Sequence, residues 1–402
     1  MGVKERYIKT TQIFEKVYVW STVLMFFLIP ISKALPNLFV IPIGLMGVIR
    51  FRESVKKLSI SNSIIILVFL VLIVLSIISN TFIEDIKTLS KYALVIILLF
   101  SLQHLKDREL QERAFSIGVA IALIISTYNA VIALQTLDNV SFGYLFGNTS
   151  FLKDVLLWRR PYFGFLILLV IYIHLNKLSK NKGSYNLVIA GIGTLFLFLI
   201  AARLSMLLSL LLWFIYGVKV FRNLSIRKRL GVLGVGVGMI VLLLTNDGFW
   251  QRFQVRSELS WNIERMLDIE PRYVIWPCAT SILMDYDNVL LSYNSKENID
   301  NALENCYKTV IEKKSKREWF IKKRYNSHNQ FLNVSLRGGL VLGIAFFLAF
   351  IWAMTIERYT SSQKLLVFLF FCFLMLENAI DKQLSTSLFG AFLSINLLVN
   401  DD

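Results

Sequence analysis

Apolar residues in this chain come in long blocks, most of them about 16–23 residues, and that length limits what the chain can fold into. A helix rises ~1.5 Å per residue, so about 20 apolar residues cross the ~30 Å hydrocarbon core of a bilayer. Twelve such stretches are predicted, at residues 17–34, 37–49, 63–81, 87–103, 114–137, 161–176, 185–202, 204–221, 230–246, 334–356, 364–379 and 384–399. Pro42 interrupts the short second stretch. The run from Leu187 to Phe221 exceeds one span and is divided at Arg203, since a guanidinium at the bilayer centre costs at least ~2.5–3.5 kcal/mol. Composition agrees: 56% of residues are hydrophobic and 17% charged, where soluble domains hold about a quarter charged.

A net charge of +16 would suggest nucleic acid in a soluble chain. Here it follows from loops that hold orientation during insertion, and no nucleic-acid partner is expected. With the N-terminus inside, the inner loops are RFRESVKK, QHLKDRELQER, NKLSKNKGS, KVFRNLSIRKR and ERYTSSQK, each with at least two Lys or Arg. The short outer loops SKALPN, NTFIED and ENAIDKQ are poorer in them. This alternation puts both termini on the cytoplasmic side. MGVKERYIKTTQIFEK lacks a cleavage pattern after a short apolar core, so the first segment is expected to be a retained span. Arg6 departs from the myristoylation pattern.

The predicted fold is therefore all-α and polytopic, with about 12 transmembrane helices. Residues 1–246 carry the first nine, 247–333 form one large outer loop with short helices, and 334–402 carry the last three. Within the loop, SWNIERMLDIE and PRYVIWPCATSILM are expected helices, split by Pro271 at a first turn. KTVIEKKSKREWFIKKRY is expected as a basic helical run. Cys278 and Cys306 can pair if the outer side is oxidising, and no metal-ligand spacing surrounds them. GVLGVGVGM reads as a helix-packing face, since no Lys-Ser/Thr follows it as in a phosphate loop.

Three histidines occur. His104 and His174 fall at inner ends of spans, among head groups. His328 alone lies outside, the one imidazole placed there for proton transfer near neutral pH, or else for capping a helix. Arg203, Arg272, Arg159 and Arg160 also lie outside and suit phosphate oxygens. For Arg159 ordinary interfacial anchoring is the simpler reading, whereas Arg203 interrupts an apolar run and needs an anionic partner. Glu377 and Asp381, one turn apart, would share a helix face and orient an arginine or His328, or would mark a span end. Trp276, Trp319 and Tyr325 offer flat faces for stacking, or else anchor the interface or fill the loop's core.

From about Pro161 to Asn396 the chain resembles the O-antigen ligase and polymerase superfamily of bacterial membrane glycosyltransferases. SHNQFLNVSLRGGLVLG is similar to the family's His-Asn segment, AARLSM to its arginine-bearing turn, and PRYVIW to its Arg-x-x-x-Trp element. The turn departs in placing Ala202 where many relatives have a hydroxyl residue. The resemblance implies a metal-independent, inverting transfer without cofactor at the periplasmic face of the inner membrane. It implies an undecaprenyl-pyrophosphate-linked glycan as donor and a lipid A-core or a second carrier-linked glycan as acceptor. His328, Arg272 and Arg203 become the catalytic candidates. Arg160, Asn329, Trp276, Glu377 and Asp381 become the substrate-binding candidates. A ligase is the first expectation and a polymerase the second. A polysaccharide transporter comes third, since transporters place charges near the bilayer midplane on broken helices.

Overall fold

The computed structural model describes residues 3–105, 108–135, 149–180, 182–221, 270–286 and 288–396, with isolated helical residues between 226 and 241. Every element among them is helical. A helix occupies eleven of the twelve predicted stretches, and the ninth (230–246) lies largely outside the described residues, as do most of GVLGVGVGM and of SWNIERMLDIE. Among the described residues, three helices are long and apolar enough to cross a membrane: Ile60–Ile78, Glu109–Gln135 and Arg160–Ser179. Six more are apolar but shorter, among them Tyr185–Leu199, Arg203–Val218 and Leu340–Thr355.

The chain divides into two units. The first comprises Met1–Thr22, Pro36–Asp107 and Glu258–Asp402; the second comprises Val23–Leu35 and Arg108–Ser257.

In the first unit, Ser59 starts the Ile60–Ile78 helix by accepting from Asn62 N, and the Glu357 carboxylate accepts from the Ser61 amide at 2.8 Å. Donors left open at a helix N-terminus are thus satisfied. The next helix, Phe82–Ser101, stacks Tyr92 on Phe69 with ring centroids 4.9 Å apart. On its other side Gly390 packs against Leu98, and Ser394 donates to Leu98 O at 2.8 Å. The predicted span 334–356 is broken at Gly339, where φ is +86°. A Cβ there would sit 2.5 Å from Leu290 O, so only glycine fits this close passage. The result is a short helix, Gln330–Gly338, ahead of Leu340–Thr355.

The loop segment between Glu270 and Gln330 has its own core. Pro271 begins the helix Arg272–Met284, as expected. The basic run is not one helix: its first three residues end the helix Lys296–Val310, Ile311 is buried at the break, and the rest carries the helix Lys314–Lys323. Ile275, Leu303, Tyr307, Ile311 and Phe320 meet in this core. A disulfide joins Cys278 to Cys306 across it.

In the second unit the Arg160–Ser179 helix is buried along nearly its whole length. The predicted break at Arg203 is present: Tyr185–Leu199 ends, Ala201 takes φ +49°, and Arg203 begins the next helix. Trp213 Nε1 donates to Thr194 Oγ1 at 2.8 Å and ties the two helices together.

Candidate active site

Four elements of the first unit converge at the end of the Ser361–Leu376 helix. Arg272 arrives on the first turn of its own helix and donates Nη2 to Leu376 O at 2.7 Å. A guanidinium on the open carbonyls of a helix C-terminus is favoured by both hydrogen bonding and the helix dipole. Its Nη1 donates to Glu270 Oε1 at 2.6 Å, and Nη2 lies 3.4 Å from Glu377 Oε1. The other Glu377 oxygen, Oε2, lies 3.6 Å from His328 Nδ1. One carboxylate thus stands between a guanidinium and an imidazole. Arg272 Nε and His328 Nδ1 have no hydrogen-bond partner among the described residues.

Local sequence explains why His328 is held there. Its φ is +45°, an unusual conformation for a residue with a Cβ, which costs roughly 1–3 kcal/mol unless the surroundings enforce it. The surroundings are asparagine- and serine-rich. Asn326 Oδ1 accepts from His328 N, and Asn329 Oδ1 caps the following helix by accepting from Phe331 N and Leu332 N. Ser327 donates to Asn329 O and accepts from Asn378 Nδ2 at 3.0 Å. Trp276 Nε1 donates to Ser327 O at 3.1 Å. Tyr325 lies against the imidazole, with centroids 5.5 Å apart. Burial pushes its phenol up to about 12, so it stays neutral beside the histidine at ordinary pH.

Beside this cluster opens a cleft of about 770 Å³, lined by Glu270, Arg272, Trp276, Met284, Leu376 and their neighbours. That volume is within the ~300–1,000 Å³ of ordinary ligand pockets.

The predicted residues fare differently. Arg272, His328, Trp276, Asn329 and Glu377 come together, with Asn329 serving as a helix cap. Asp381 does not join them. The helix ends at Leu376 and Glu377 is extended (φ −140°), so Glu377 and Asp381 do not share a helix face. Asp381 Oδ1 instead accepts from Asn333 Nδ2 at 3.5 Å, and its carbonyl accepts from Lys91 at 2.7 Å. Arg203 and Arg160 belong to the second unit, both half-buried. Gly164 packs against Ala202 and Ser205 there, which brings the first turns of both arginine-bearing helices to one end of that unit. His104 and His174 are buried in protein, not among head groups: His104 shares a hydrogen bond with Ser54, and His174 with Asn186, each 2.7 Å.

Two residues were missed. Arg337 and Asp85 form a sealed ion pair, Nη1 to Oδ2 at 3.3 Å, with side chains 1% and 3% exposed. Arg337 stands in the quoted SLRGG stretch, where its position beside an apolar run signals an anionic partner. Compared with known proteins, the chain matches no family model and no curated protein.

Proposed function

We propose that the chain is a polytopic membrane glycosyltransferase of the O-antigen ligase and polymerase type, moving a glycan from undecaprenyl pyrophosphate to an acceptor hydroxyl. The observation that carries this reading is the Arg272–Glu377–His328 cluster on the edge of a cleft.

In such a transfer the acceptor hydroxyl loses a proton while negative charge grows on the leaving phosphate. Glu377, facing Nδ1 of His328, favours the tautomer with the proton on that nitrogen, which leaves Nε2 to take the acceptor's proton. The same carboxylate then stabilises the imidazolium. Arg272 supplies fixed positive charge to the departing phosphate. Glu270 holds Nη1 where a phosphate oxygen would bind, so the donor must displace it, while Leu376 O and Glu377 keep the guanidinium aimed. The resemblance assigns Arg203 to the pyrophosphate as well, and Arg203→Ala tests that role separately.

Contacts within each unit support twelve spans with alternating loops. In the first unit, residues expected inside meet one another: His104 with Ser54, and Glu357 with Ser61. Residues expected outside also meet one another: Asp85 with Arg337, and Arg272 with Glu377. The second unit repeats the pattern. Lys182 pairs with Glu109 inside, and Trp158 donates to Pro30 O outside. The Cys278–Cys306 disulfide fits an oxidising outer face. A cysteine at exposed Lys313, labelled by an impermeant maleimide from the cytoplasmic side, would overturn this orientation.

The deciding assay compares wild type with His328→Ala, inserted equally, using an undecaprenyl-pyrophosphate-linked donor. Lipid A-core and a second carrier-linked repeat are the two acceptors. Transfer to one acceptor by wild type and to neither by the variant supports the reading and separates ligase from polymerase. Wild-type rates in His328→Ala remove the imidazole from the mechanism.

A further inference from the structure

The Arg272–Met284 helix has two apolar faces. One packs into the loop's own core through Val274, Ile275, Cys278 and Leu283. The other lines the cleft with Tyr273, Trp276, Thr280 and Met284 at i, i+3, i+7 and i+11, and Tyr273 and Met284 are 58% and 57% exposed. The Arg272–Glu270 ion pair closes one end of that stripe.

We infer that this cleft is a subsite for sugar units of the acceptor glycan, with Trp276 and Tyr273 as its stacking platform. The inference rests on the transferase reading above and names what its acceptor side takes. Aromatic faces carry partial negative charge and attract the polarised C–H groups of a sugar ring. They also supply a large rigid contact at small entropic cost. Thr280 donates its hydroxyl proton to Trp276 O at 2.9 Å, so its lone pairs are left to accept from sugar hydroxyls. A hydrocarbon chain would use neither feature, and would have to lie against a charged pair. The indole is also fixed relative to the imidazole, because Trp276 Nε1 donates to the carbonyl of Ser327, the residue before His328. A sugar stacked on Trp276 therefore presents its hydroxyls beside the proposed base.

The test uses the full chain in lipid nanodiscs and two probes. One is the lipid-free oligosaccharide released by mild acid from the host's own envelope glycan; the other is undecaprenyl phosphate. Saturation-transfer NMR should show the oligosaccharide's ring protons against wild type and against Trp276→Phe, but not against Trp276→Leu. In turnover, Trp276→Leu and Trp276→Phe both lose the bond to Ser327 O, so kcat should fall alike in the two, while the acceptor KM should be about tenfold higher in Trp276→Leu than in Trp276→Phe, the pattern of lost uniform binding. Tyr273→Ala, at an exposed position that does not threaten the fold, should raise KM by a smaller factor. Unchanged KM and unchanged ring-proton signal in both Trp276→Leu and Tyr273→Ala overturn the subsite. Loss of undecaprenyl phosphate binding in Trp276→Leu, with the oligosaccharide signal intact, assigns the cleft to the hydrocarbon and overturns it too. Failure of the transferase reading looks different: wild type transfers to neither acceptor, while the NMR result still decides what the cleft binds.

Discussion

Arg272 and Arg337 lie in the same unit and each faces a carboxylate, yet their surroundings differ in access. Arg337 is sealed, and Asp85 opposite it accepts from Tyr293 OH at 2.7 Å and from the Lys296 amide at 3.1 Å as well. That carboxylate fastens the Phe82–Ser101 helix to both the segment that carries Tyr293 and Lys296 and the Gln330–Gly338 helix. Arg272 borders an open cleft and is shared between two partly buried carboxylates, and its Nε, like that of Arg337, has no hydrogen-bond partner among the described residues. An enclosed ion pair fixes elements in place. An open one can exchange a protein carboxylate for a substrate phosphate. In an apolar chain, access to solvent rather than charge itself separates the two uses.

The sharpest way to break that comparison is to leave Asp85 without its cation. Arg337→Met should cost about 3–5 kcal/mol, the usual penalty for an uncompensated buried charge. It should appear as loss of monodisperse protein in detergent or a large drop in melting temperature. Asp85→Leu combined with Arg337→Met should recover part of it. A single variant that melts like wild type would show that the sealed pair fastens nothing. The open cluster should behave in the opposite way. Glu377→Gln and His328→Ala should lower transfer about 10²–10⁴-fold, the range for positioned acid–base catalysis. Their melting temperatures should barely move, since neither change leaves a buried charge unpaired in a closed core.

Much of this architecture was readable in one dimension because its causes are local. The break at Arg203 followed from the cost of a guanidinium inside an apolar run, and the Pro271 helix start followed from proline's fixed φ. The grouping of His328 with Arg272 was suggested by the family resemblance and by loop orientation, and the latter assigns a side and no neighbours. Glu377 faces an arginine and His328, as expected, but its expected neighbour Asp381 does not share its face, because the helix ends at Leu376 and Asn378 turns away to bond Ser327. Asp85 and Arg337 escaped notice because 252 residues separate them, and no periodicity connects a loop acid to a distant span end. The disulfide stayed open for the same reason: spacing does not tell whether two Cα atoms come close enough to bridge.

A third change sharpens the contrast by loosening one region alone. Cys278 and Cys306, 28 residues apart, close a loop whose release in Cys278→Ser/Cys306→Ser should cost about 3–4 kcal/mol in the chain-entropy account. Amide hydrogen exchange should rise over 272–323 and fall off towards the Phe82–Ser101 helix. Transfer should drop as well, because the bridge holds the helix that presents Arg272. Uniformly faster exchange across both regions would mean that the loop core and the sealed pair unfold together.

The smallest effect concerns Asp300, on the loop helix between these two regions. Burial is the main cause that raises its carboxyl above the usual range, against partial relief from Lys296, Arg337 and Arg324. A carboxyl that is harder to ionise in the folded state than in the unfolded one destabilises the fold wherever it must carry charge. Its stabilising contribution is complete below the unfolded value, near 4, and is lost as pH rises through the raised folded value. Asp300→Asn removes that cost. The variant should therefore melt about 1–2 °C above wild type at neutral pH, a shift suited to a fraction of a kcal/mol in a domain of this size. The gap should narrow as pH falls through the raised folded value and be gone below 4, where Asp300 is protonated in both states. A gap that widens on acidification would mean that Asp300 is held charged by its three cations, and would place it with Asp85 among the ion pairs that fasten the unit.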